Sequence, residues 1–135
     1  MKPGTLLFVI LVVGYLGLEG YVASRTKYRM EPDYIFGQYT EAATAVAACG
    51  GFEQSVRDKF QSNLRYTRRR AAEALSEQNP GQSAAAIESL VAAQEATAQR
   101  TTAELVDSQG CNGTDVRQLI TRFKNRARLN LPTGE

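Results

Sequence analysis

Two cysteines, a row of glycines and three clusters of basic residues are the positions where this chain can do chemistry. Cys49 and Cys111 are the only cysteines. Two thiols do not complete a structural zinc site, but they can be oxidised to one disulfide. The chain has no histidine and no tryptophan. Lack of histidine removes the usual general base at neutral pH and the commonest metal ligand. No Ser–His or Cys–His nucleophile pair can be built, and no spaced pair of carboxylates stands out. The expectation is therefore a non-enzymatic protein with no cofactor, no metal and no small-molecule substrate.

Gly14, Gly17, Gly20 and Ser24 fall within about 120° of one face if residues 5–24 are helical. Small residues on one face let a second helix approach closely in lipid, so this face is the predicted intramembrane helix contact. Glu19 points away from the stripe and is a possible intramembrane polar contact. Arg25, Lys27 and Arg29 follow directly and suit a headgroup layer. Arg65, Arg68, Arg69 and Arg70 form a second basic cluster, and Arg122, Lys124, Arg126 and Arg128 a third. These are expected to meet anionic headgroups or an acidic partner; the competing reading is a solvated helix face paired with Asp58, Glu73 and Glu77. A net charge of +2 is too small to argue for nucleic acid. The basic runs also lack the interleaved aromatics such binding uses.

The elements that must position these residues begin with the apolar stretch itself. Its uncharged core, Thr5 to Leu18, is 14 residues long. As helix that is about 21 Å, short of a bilayer core and typical of a signal-peptide core behind Lys2. Extended through Glu19 to Ser24, it reaches about 30 Å and spans. The spanning reading is preferred, with residues 1–24 as a transmembrane anchor and 25–32 as a juxtamembrane linker. A pilin-type start is excluded, because Val9 stands where a glutamate is needed and Pro32 interrupts the long helix.

Residues 33–130 read as an all-α domain, with 131–135 as a tail. Asp33 is a good N-cap for a first helix ending near Cys49, buried through Tyr39, Ala42, Ala43, Val46 and Ala47, and stopped by Gly50-Gly51. A second helix, about Phe52 to Gln78, carries Phe52, Val56, Phe60, Leu64, Ala71 and Leu75 at helical spacing. Asn79-Pro80-Gly81 breaks the chain. Ser83 caps a third helix running to about Ser108, lined by Ile87, Leu90, Val91, Ala98, Thr101 and Leu105, with polar Gln94 on the same face. A fourth starts near Thr114 and presents Val116, Leu119, Ile120, Phe123 and Ala127. Short connections favour a small antiparallel bundle of about four helices: a long central hairpin with two shorter helices beside it.

In an up-down-up-down bundle the end of helix one and the start of helix four meet. Cys49 and Cys111 then lie at one end, which predicts a disulfide and an oxidising compartment. The expected protein is a single-pass inner-membrane accessory, assembly or scaffold subunit. Its partners would be membrane lipid and other membrane-protein subunits, and its domain would lie on the exported, periplasmic side. Arg25, Lys27 and Arg29 argue for the opposite orientation by the positive-inside rule, and the cysteines are given more weight. The alternatives are a cleaved, secreted or periplasmic helical binding protein and a membrane-anchored sensor or spanin-like linker. The last needs a longer and stricter heptad seam than this chain carries.

Overall fold

The computed structural model describes residues 31–133. Among these residues there are four α-helices and no strand. They are α1 (Pro32–Cys49), α2 (Gln54–Gln78), α3 (Ala84–Gln109) and α4 (Thr114–Ala127). Each helix begins within two residues of its predicted start, and α1, α2 and α3 also end within two residues of expectation, whereas α4 stops at Ala127, short of the Pro132 expected to end it. Pro32 is the first residue of α1 rather than a break before it. Its missing N–H would have no intrahelical partner there anyway, and its fixed φ suits the first turn. Phe52 stays outside α2, which begins at Gln54 after Glu53.

The helix ends follow local chemistry. The Ser83 hydroxyl accepts from the Ala86 N–H at 3.1 Å and caps α3. Gly50 (φ 69°) and Gly110 (φ 72°) end α1 and α3 in left-handed conformations. Their N–H groups donate to Val46 O at 2.7 Å and Val106 O at 2.8 Å, satisfying carbonyls the helices leave open.

Side-chain contacts fix the topology. Tyr39 meets Phe60, and Phe36 packs with Ala71 and Leu75, so α2 runs back along α1. Arg68 reaches Glu95, and Leu75 packs with Ile87, so α3 runs back along α2. Arg122 meets Glu41 and Arg126 meets Gln38, so α4 is antiparallel to α1. The bundle is up-down-up-down.

Its core has two parts. One joins Tyr39, Ala42 and Val46 of α1 to Phe60 of α2 and to Phe123 and Ala127 of α4. Phe60 and Phe123 stack with ring centroids 3.9 Å apart, and Phe52 tilts against Phe123 at 4.9 Å. The other joins Phe36 to Ala71, Leu75, Ile87 and Val91. α1 contributes to both, and the other three helices all pack on it. The centre of the bundle is therefore the short α1 rather than the long α2–α3 hairpin.

That placement explains where the stripes were misjudged. On α1, Phe36, Thr40 and Ala45 are buried beside Tyr39, Ala42 and Val46. At 100° per residue these positions cover more than half of the circumference, as the central position of α1 requires. Ala43 is partly buried, and Ala47, in the final turn, is exposed. On α3 the seam passes through Ile87, Val91 and Thr102, with Ala98 and Leu105 partly buried. Leu90 (42% exposed) and Thr101 lie about 60–90° from the middle of that seam and face outward. The faces predicted for α2 and α4 are buried or partly buried throughout.

Candidate functional site

The cysteines come together. The sulfurs of Cys49 and Cys111 are 2.10 Å apart, with Cα atoms separated by 5.6 Å, and they close a sequence separation of 62 residues. Cys49 is the last residue of α1, and Cys111 lies in the turn between α3 and α4. Cys111 is exposed and Cys49 half-buried, so the bond is a surface staple at one end of the bundle. The turn beside it is tight. Gln109 donates through Nε2 to Asp115 Oδ2 at 2.7 Å, and a Cβ placed on Gly113 would lie 2.5 Å from Gln109 Cβ.

The two basic clusters of the domain lie toward the opposite end, where α1 begins, but they are divided among different neighbours. Arg68 forms a two-pronged pair with Glu88 and reaches Glu95 at 3.5 Å, joining α2 to α3. The hydrogen bond from Arg68 holds the Glu88 carboxyl below its usual range, and Glu88 in turn raises Arg68. Arg70 pairs with Glu73 within α2, and the Arg69 guanidinium lies 5.8 Å from the centre of the Tyr66 ring. Arg122 bonds Glu41 at 3.2 Å. Arg126 donates to Gln38 at 3.1 Å and lies 5.2 Å from the centre of the Tyr39 ring. Burial pushes the Tyr39 hydroxyl above its usual pKa of 10.0, and the nearby Arg126 charge offsets part of that rise. Five of the basic residues thus engage this chain's own helices or turns.

Lys124 and Arg128 differ. Both are exposed on α4 and its C-cap, and neither is ion-paired among the described residues. With Lys59, Phe52, Ser55, Val56 and Ala127 they line an open groove of about 300 Å³. Sequence reading singled out Lys124 and Arg128 but not Lys59. Lys59 follows Phe52 and Val56 at i+7 and i+3, which puts the three on one face of the chain entering α2.

Asn63 was also missed. It is 1% exposed, and its Nδ2 donates to Arg126 O and Leu129 O, both at 2.9 Å. One side-chain amide thereby closes the C-terminal end of α4. Its spacing from Phe60 on the apolar stripe of α2 was the available signal. Thr40 and Thr67 are buried too, their hydroxyls bonded to Phe36 O and Leu64 O one turn earlier.

Gly14, Gly17, Gly20, Ser24, Glu19, Arg25, Lys27 and Arg29 lie outside the described residues. Among the described residues no helix is long and apolar enough to cross a membrane, and no group of three or more Cys, Asp or Glu side chains is placed to hold a metal ion. No protein-family model, curated protein or solved structure matches the chain.

Proposed function

We propose that the protein is a non-enzymatic, single-pass membrane accessory or scaffold subunit whose helical domain is exported and docks to other membrane subunits. The observation that carries this reading is the Cys49–Cys111 pair at bonding distance. A surface-exposed disulfide fits an oxidising compartment such as a periplasm. The apolar stretch of residues 5–24 supplies the means of holding such a domain at a membrane. In this reading Gly14, Gly17, Gly20 and Ser24 form the helix contact within the bilayer, Glu19 offers a polar contact there, and Arg25, Lys27 and Arg29 lie among headgroups.

A second reading, a cleaved and exported helical binding protein, is favoured by one feature: the uncharged core of 14 residues, Thr5 to Leu18, has the length of a signal-peptide core. One preparation separates the two. Native membranes are washed with high salt and solubilised in mild detergent, and tagged protein is purified, identified with its companions by mass spectrometry and sequenced from its N-terminus. Retention through the wash with a stoichiometric set of membrane subunits is expected. Recovery alone, with an N-terminus at Arg25, would establish the second reading.

A further inference from the structure

The groove between the start of α2 and the end of α4 combines two properties that select one kind of occupant. Its floor is apolar, built from Phe52 and Val56 on one side and Ala127 on the other. Its rims are cationic on both sides: Lys59 projects from α2, and Lys124 and Arg128 come from one face of α4, four residues apart. No carboxylate lines it. Of the other basic residues on α4, Arg122 and Arg126 are held by α1 and Arg117 lies outside the groove, whereas the three cations of the groove have no ion-pair partner among the described residues.

We propose that this groove is the docking site for an acidic segment of a partner protein, one that sets a single aromatic or branched aliphatic side chain on Phe52 and Val56 and places carboxylates against Lys59 and against Lys124 and Arg128. The inference rests on the docking role proposed above and gives it a location. A segment with acidic residues on both sides of an apolar one matches cations that flank the floor on both sides. Size points the same way. The α2 side of the groove runs from Phe52, just before the helix, to Lys59, about 10 Å. A lipid acyl chain spans about half of a bilayer core, roughly 15 Å, and would overhang it. A groove of about 300 Å³ is at the lower limit for ligand sites and suits one anchoring side chain.

The test uses the full chain in a neutral detergent, screened at low salt against a displayed library of random heptapeptides, with selected peptides measured by fluorescence anisotropy. The expected consensus pairs two or more Asp or Glu residues with one Phe, Leu or Ile. Its affinity should fall at least tenfold in the combined Lys59→Glu, Lys124→Glu, Arg128→Glu variant. A comparable fall is expected in Ser55→Trp, which fills the floor and leaves every charge in place. Arg100→Glu, which reverses an exposed cation on α3 outside the groove, should change it less than twofold. Lack of enrichment, indifference to Ser55→Trp, an equal loss in Arg100→Glu, or tighter binding to phosphatidylglycerol vesicles than to the peptides would each overturn the assignment. If no peptide selects the groove but the parent protein co-purifies with membrane subunits, the groove is wrong and the accessory role stands. If peptides select the groove but no subunits co-purify, the groove stands and the accessory role falls.

Discussion

Asn63 shows how much one side chain can hold in a small bundle. Burying an amide is unfavourable unless it is hydrogen-bonded; Nδ2 meets that need with the carbonyls of Arg126 and Leu129 at the end of α4, while Oδ1 is buried without a partner. Asn63→Ala removes both bonds, leaving Arg126 O with the Leu129 N–H but Leu129 O without this donor, and should destabilise the domain by about 1–3 kcal/mol, read as a lower urea midpoint. Asn63→Asp should be worse, since a carboxylate offers the same oxygens no donor. Tyr39 makes a second case. Burial raises its folded pKa above the usual 10.0, so on alkaline titration the unfolded chain gives up this proton first. The Tyr39 contribution is thus fully present below pH 10 and is lost as pH rises through the higher folded value. Tyr39→Phe cannot ionise, so its stability curve should fall less steeply above pH 10 than that of the parent protein, provided the other tyrosines are unchanged. An identical alkaline limb in the two proteins would remove Tyr39 as its source.

At the scale of elements, helix ends were legible in the sequence because their signals are local. Ser83, Gly50, Gly110 and Asn79-Pro80-Gly81 act through their own backbone and close neighbours, and each ends or begins a helix within two residues of where it was read. Faces were less legible. The α2 and α4 stripes were read well because each packs mainly through one side. The α1 stripe was read too narrowly, since nothing in its 18 residues announces that the other helices cover more than half of its circumference. Leu90 was placed inside because it is apolar, yet the close approach of α3 is made through Val91, Ala98 and Thr102, which leaves Leu90 outside. The α3–α4 turn makes its own prediction. Gly113→Ala puts a methyl group against Gln109 Cβ and should cost about 1–3 kcal/mol, with a matching loss in thermal midpoint. Ser55→Ala, on an exposed position of α2, is the control and should stay within about 0.5 kcal/mol.

For the whole molecule the disulfide is the largest single contribution that can be removed cleanly. Closing 62 residues restricts the unfolded chain by about 4 kcal/mol in the chain-entropy view. Such a term is a large share of the stability of a domain this size. Reduction should therefore lower the thermal midpoint by many degrees, and alkylation of the non-reduced protein should modify neither cysteine. The pairing was legible because topology, rather than spacing, carried it: four helices with short connections leave Cys49 and Cys111 at one end. The division of the basic residues was not legible. Arg122, Lys124, Arg126 and Arg128 alternate along α4, and only the position of α1 decides that Arg122 and Arg126 turn to Glu41 and Gln38 while Lys124 and Arg128 stay open.

The antiparallel pairing of α1 with α4 also gives the domain a mechanical character. Pro32 and Arg128 sit at the end away from the staple, so a pull between them peels α1 and α4 apart turn by turn instead of shearing them along their length. The peeling stops at Cys49–Cys111. The two arms it frees are about 18 residues each and reach roughly 130 Å when fully drawn out. With the cysteines reduced the same two points can separate by about 350 Å. Everything from Gly50 to Gly110, including all of α2 and α3, stays off the load path while the bond is closed. Oxidation thus turns a chain that would pay out under tension into a tether of limited length.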